Sequence, residues 1–188
     1  MIYLGVIAEA DSDVAVVDAL ARKITQTRFA IRKAVGRGSG RLQKHALPWA
    51  RELHRQHCSR LMLVCDLDEN SVADLSARLT KALEGCLIER RVVVIPVREI
   101  EAWLLADHEA LTAAFKLRRP VQKQANPESV PDPKARLRAV LAERSDGRVE
   151  YVNTVDNVKI ARHARVDRLL ERCASFKGFE AFVREQLG

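Results

Sequence analysis

Apolar residues recur along the chain in two rhythms, short continuous runs and helical spacings, and the two alternate. Ile2 to Ala8 is a compact apolar run, and Ala15, Val16, Ala19, Leu20 and Ile24 then follow at helical spacing, which predicts a strand and a helix with Ser12 or Asp11 as its N-cap. Arg28 to Val35 reads as a second extended segment, with Phe29, Ile31 and Val35 set among Arg32 and Lys33. It breaks at Gly36-Arg37-Gly38-Ser39-Gly40, and a helix over about Leu42 to His57 follows. Arg60 to Cys65 predicts a buried strand, Asp66 to Asn70 a turn, Ser71 to Leu83 an amphipathic helix, and Val92 to Val97 a fourth strand.

Strands that alternate with helices and consist of apolar runs predict an α/β fold with a mainly parallel four-stranded sheet covered on both faces. Ligands of such sheets gather at the carboxyl ends of the strands. After Ala114 the pattern changes: four prolines, at positions 120, 127, 131 and 133, mark a loop or linker. Helical spacing returns over Lys134 to Glu143, about Val155 to His163, Arg165 to Ala174, and Phe176 to Leu187. The division this predicts is an α/β core over 1–115 and a Pro-rich linker with a helical extension over 116–188, packed on the core.

The 188 residues carry a net charge of +7, and the charge is unevenly placed. Residues 21–60 hold eleven Lys and Arg against the single acid Glu52, a net of +10, which leaves −3 for the other 148 residues. A local cationic face suits a polyanionic partner, whereas a solvated Arg-rich helix face is the simpler alternative. The longest apolar runs are far shorter than a membrane helix, and Met1 to Ala8 lacks the basic leader of a secretory signal, so a cytoplasmic protein is expected. Four widely spaced cysteines, Cys58, Cys65, Cys86 and Cys173, form no C-x-x-C pair and are expected to be reduced thiols. Aromatic residues at 5% argue against a base-stacking single-strand platform, and no G-x-S-x-G or G-K-[ST] element points to acyl transfer or a Walker A loop.

Acidic residues cluster where strands are predicted to end: Glu9 after the first, Asp66 and Asp68 after the third, Glu99 and Glu101 after the fourth. Such carboxylates repel unless a cation lies among them, and oxygen ligands without His or Cys favour Mg²⁺ or Mn²⁺. In an extended Asp66-Leu67-Asp68, alternation aims both carboxylates the same way. Singly, these residues also suit helix caps and first turns.

Glu9-Ala10-Asp11-Ser12-Asp13 and Val64-Cys65-Asp66-Leu67-Asp68 resemble the E-G-x-[ST]-[DE] and D-x-D signatures of Toprim (topoisomerase–primase) domains, with Ala10 in place of the usual Gly. Glu99-Ile100-Glu101-Ala102-Trp103-Leu104-Leu105-Ala106-Asp107 is similar to the E-x-E-a-W-l-l-a-D segment of small stand-alone Toprim-like proteins related to the overcoming-lysogenization-defect (OLD) nucleases. Pro131-Asp132-Pro133-Lys134, Lys159 and Phe176-Lys177-Gly178-Phe179 extend the resemblance over nearly the whole chain.

The resemblance implies a Toprim-like Rossmannoid core with a helical C-terminal portion. It further implies a metal-dependent nuclease in which Glu9, Asp66 and Asp68 hold Mg²⁺ or Mn²⁺, with Glu101 and Glu99 completing a second metal position. A catalytic cation is expected at Lys159, with Lys134 in reserve. Arg37, Arg41 and Lys44, in and beyond the Gly36 to Arg41 loop, are the expected contacts to a DNA or RNA backbone. A role in phage defence with a separate ATPase of ABC/SMC type goes with this resemblance. Two other classes remain open at this point: a non-catalytic Toprim-like subunit that docks on an ATPase, and a phosphoacceptor receiver, which would need a Lys after a fifth strand.

Overall fold

A computed structural model describes residues 1–188. Four strands, β1 (Ile2–Ala8), β2 (Phe29–Val35), β3 (Arg60–Val64) and β4 (Arg90–Val94), form one sheet in the order β2-β1-β3-β4, and every neighbouring pair is parallel. The helices α1 (Asp11–Ile24), α2 (Ser39–Arg55) and α3 (Val72–Ala82) are the crossovers. The chain steps one way from β1 to β2 and the opposite way from β2 to β3 and β4, so crossovers of one hand put α1 on one face and α2 and α3 on the other. The remaining helices are α4 (Glu101–Leu105), α5 (His108–Ala114), α6 (Pro133–Arg144), α7 (Asn153–His163), α8 (Val166–Arg172) and α9 (Phe176–Leu187).

The pleat of β1 shows why its apolar run is continuous. Leu4, Val6 and Ala8 face α1 and the C-terminal helices in a core of 35 buried residues, whereas Ile7 faces α2 and α3 in a second core of 14. The larger core mixes both sequence halves: Trp103 of α4 lies edge-on to Phe176 at 5.0 Å between centroids and touches Phe179, both of α9. All four cysteines are free thiols, as expected, and Cys58, Cys65 and Cys173 are buried.

Several boundaries differ from the periodic expectation. The first helix begins at Asp11, four residues before its apolar stripe, because the Asp13 carboxylate accepts the Ala10 N–H at 2.9 Å and supports the first turn. The fourth strand spans Arg90–Val94 instead of Val92–Val97, and two short helices, α4 and α5, follow beyond Arg98 and Glu99, where the spacing predicts no element. No helix is long and apolar enough to cross a membrane.

Trp49 of α2 is half-buried: its indole stacks on His45 and lies over Gly36 at the end of β2. A Cβ at position 36 would stand 2.2 Å from Trp49 Cη2. Gly36→Ala is therefore expected to displace the indole and destabilise the protein by about 1–3 kcal/mol, the usual range for overpacking. Urea unfolding followed by Trp fluorescence checks this, and an unchanged midpoint would contradict it.

Candidate metal centre

Three strand ends and the start of α1 bring carboxylates together at the carboxyl edge of the sheet. Glu9 directly follows β1, and its Oε1 accepts the Asp66 N–H and the Cys65 thiol, both at 3.2 Å. Asp66, two residues past β3, is anchored through Oδ1, which accepts the Ile100 N–H at 3.0 Å. Glu101 opens α4 and is 2% exposed, and its Oε1 accepts the Asn157 side-chain N–H at 3.0 Å. In each of these three carboxylates one oxygen is held by the protein while the other makes no hydrogen bond.

Asp68 sits differently. Its φ of +48° is left-handed, and its N–H donates to the Arg98 carbonyl at 3.1 Å, so the segment is not extended and Asp66 and Asp68 are not aimed alike by alternation. Asp68 is exposed at the rim, lining a cavity of about 230 Å³ with Glu69, Arg98, Glu99 and Asp132. Both oxygens of Glu99 are engaged by one residue: Oε1 accepts Lys134 Nζ and Oε2 the Lys134 N–H, each at 3.2 Å, which places Glu99 at the N-terminus of α6.

The electrostatics record the crowding. Burial pushes the Asp66 carboxyl well above its ordinary range, and the charges of Asp13, Glu101, Glu9 and Glu99 push it the same way. Asp13 is pushed up to about 6, first by burial, against the Ala10 hydrogen bond, with further repulsion from Glu101 and Glu9. Burial also raises Glu9, opposed by the Cys65 hydrogen bond, and raises Asp68, with Glu99 adding to it. One cation enters the cluster: Lys134 Nζ lies 3.2 Å from Glu99 and 3.7 Å from Glu101. Burial works against its charge, but Glu101 and Glu99 outweigh that and hold its pKa above the usual value.

Lys159 is not brought into the site. It is exposed on α7, with Nζ 4.1 Å from the centroid of the Phe115 ring, and Asn157, two residues earlier, holds the helix face that looks toward Glu101. Lys134, the reserve, is the lysine at the carboxylates. The cations expected to meet a nucleic-acid backbone are partly in place: Arg37 and Glu9 line one cavity of about 480 Å³ together with Ser12 and Thr154. Arg41 and Lys44 are exposed on α2. Between residues 21 and 60 the ion pairs are Arg22 with Asp18, Lys33 with Asp11, and Arg55 with Glu52, so Arg37, Arg41 and Lys44 are uncompensated.

Asp13, Tyr151, Asn157 and the Cys65 thiol carry no role in the sequence expectation. Asp13 stands inside the Glu9 to Asp13 motif segment, whereas nothing local marks Tyr151 or Asn157. No three His, Cys, Asp or Glu side chains close on a common point as they stand. The donor set nevertheless suits a hard divalent ion: every donor is a carboxylate oxygen, three have an oxygen to spare, and Asp66 carries repulsion from four neighbouring carboxylates that one Lys does not cancel.

No curated protein matches this chain. Among solved structures, the C-terminal region of the Burkholderia pseudomallei OLD protein shares its fold, with a TM-score of 0.51 and 14% identity over 98% of each chain. The family described as Domain of unknown function (DUF4276) matches residues 9–184, a span that begins at Glu9 and holds every acidic residue of the cluster. The chain belongs to that family, the domain of unknown function DUF4276.

Proposed function

We propose that this protein is a divalent-metal-dependent phosphodiesterase that cuts DNA or RNA. The observation that carries the proposal is the set of three carboxylates, Glu9, Asp66 and Glu101, each held by one oxygen and free at the other, on the edge where such sheets bind ligands. The likeness of fold to the OLD protein region and the Toprim-like motifs support it.

Glu9, Asp66 and Glu101 would hold Mg²⁺ or Mn²⁺, with Asp68 at the open rim offering a ligand to a second ion and Asp13 behind them. Glu99 is the ligand candidate its hydrogen bonds favour least, since both oxygens hold Lys134. A divalent ion held there would supply positive charge to the phosphate and make water acidic enough to give up its proton and become the nucleophile. The chain's own residues do the rest. Lys134, kept charged by Glu99 and Glu101, opposes negative charge that builds on the phosphate oxygens. Arg37 shares a groove with Glu9 and orients the phosphate next to the scissile one, and Arg41 and Lys44 extend the cationic track along α2. A defence role with a separate ATPase is the setting that the OLD-like resemblance implies.

The test is cleavage of plasmid, single-stranded DNA and tRNA with Mn²⁺ or Mg²⁺, by wild type and Glu9→Gln. Cleavage that needs the metal and is lost in Glu9→Gln is expected. Equal activity in the variant, or activity that survives EDTA, would overturn the proposal.

A further inference from the structure

Glu101 is held from behind by residues far along the chain. Asn157 of α7 donates its amide N–H to Glu101 Oε1 at 3.0 Å, and the Tyr151 hydroxyl donates to Asn157 Oδ1. The three residues are 2%, 1% and 4% exposed for Glu101, Asn157 and Tyr151, so no water competes for these bonds. Chemistry fixes the direction of the chain of bonds. An ionised carboxylate only accepts, so Asn157 must turn its NH₂ toward Glu101 and its carbonyl toward Tyr151, and the phenol must be the donor. A buried amide rotated the other way would set its carbonyl oxygen against the Glu101 carboxylate, two acceptors facing each other.

The consequence falls on Glu101 itself. Oε1 is taken by Asn157 and faces Lys134 at 3.7 Å, while Oε2 makes no bond within the protein. The element that presents Asn157 is rigidly seated, because Ile160 and Ala161, on the next turn of α7, are wholly buried in the larger core. Tyr151 lies just before α7, so the bond from its ring to the Asn157 amide fixes that amide's rotation.

We propose that Asn157 and Tyr151 are positioning residues that lock the Glu101 carboxylate with Oε2 open to a divalent cation. This rests on the metal reading above. The C-terminal helices then contribute to the centre in a way that residues 1–115 alone do not supply. Removing the partner behind a metal ligand lowers metal affinity by about 10- to 100-fold.

The test uses the full chain and Mn²⁺ alone, with free Mn²⁺ followed by electron paramagnetic resonance and thermal unfolding recorded beside it. Asn157→Leu, which keeps the volume and removes the donor, is expected to weaken Mn²⁺ binding about 10- to 100-fold. Tyr151→Phe removes one oxygen from a retained ring, so it keeps the fold; it is expected to weaken binding several-fold. The double variant is expected to bind no more weakly than Asn157→Leu, because Tyr151 acts only through Asn157, whereas two separate packing defects would add. Wild-type affinity in folded Tyr151→Phe and Asn157→Leu, with binding lost in Glu101→Gln, would overturn this inference alone. A wild type that binds no Mn²⁺ would overturn the metal reading and this inference with it.

Discussion

Asp66→Asn is expected to lower metal-dependent cleavage about 1,000-fold, the several kcal/mol that a metal's charge supplies to a phosphoryl transition state, while making the metal-free protein more stable at neutral pH. Two features of Asp66 produce this opposition. Its Oδ1 accepts the Ile100 N–H, a bond that the Asn Oδ1 also makes, so the substitution removes charge and leaves the local hydrogen bonding in place. Its negative charge is buried and lies among those of Asp13, Glu101, Glu9 and Glu99, so in the absence of a cation that charge works against the fold.

The sign of the pH dependence follows. A carboxyl whose folded pKa lies above its unfolded value binds more protons when folded, so stability is full below the unfolded pKa and falls as pH rises through the folded one. Asp13 sets a window for this: its ordinary value is 3.8 and its folded value about 6, a difference worth on the order of 3 kcal/mol. Glu9, Asp66 and Asp68 are shifted in the same direction. The metal-free wild type should therefore lose stability from about pH 4 through pH 6 and above, and Asp66→Asn should lose less. Mn²⁺ should restore the wild type at pH 7 and leave the variant unmoved. Thermal unfolding across pH with and without Mn²⁺ measures both effects, and an Asp66→Asn protein less stable than wild type at pH 7 without metal would count against this account of the cluster.

How far such a site can be read from residues alone depends on which forces are local. The strand and helix pattern is legible because each apolar run or stripe reports the face its own element buries; Leu4, Val6 and Ile7 suffice to show that β1 is covered on both sides. The convergence of Glu9, Asp66 and Glu101 is legible too, since parallel strands end at one edge. Orientation within the site is a different matter. Asp68 leaves its expected direction because its backbone turns left-handed to bond Arg98, a partner 30 residues later. Lys159 and Asn157 stand two positions apart on one helix, and only the seating of α7 on the larger core decides that the amide, not the ammonium, meets Glu101. Lys134 is drawn in by Glu99, which binds both its backbone and its side chain, a pairing across 35 residues.

Asp107 closes the same acidic motif as Glu99 and Glu101, yet its surroundings give it the opposite behaviour, and Asp107→Ala is expected to destabilise the protein by about 3 kcal/mol. The carboxylate is wholly buried and accepts five hydrogen bonds: from the N–H groups of Glu109, Ala110 and Arg165, and from Arg165 Nε and Nη2, at 2.9 to 3.2 Å. It thus caps α5 and ties that helix to the start of α8, where Arg165 is the flanking residue. Losing a cap costs about 1 kcal/mol, and buried donors left without an acceptor add about 1–3 kcal/mol. The Arg165 guanidinium adds little to that loss, since its side chain is 39% exposed and keeps Glu109 at 2.8 Å. Burial alone would raise the Asp107 pKa, but the hydrogen bonds from Arg165 and Ala110 overcome it and hold it below the ordinary 3.8. Its contribution is therefore present above about pH 4 and is lost as pH falls through the folded value, the reverse of Asp66. Urea unfolding of the two Asn variants against pH separates the roles: Asp107→Asn should fall below wild type at pH 7 and converge with it in acid, where Asp66→Asn should rise above wild type at pH 7 and converge in acid from the other side. Curves of the same sign would mean that both aspartates hold the fold, and that the cluster around Asp66 is a structural network after all.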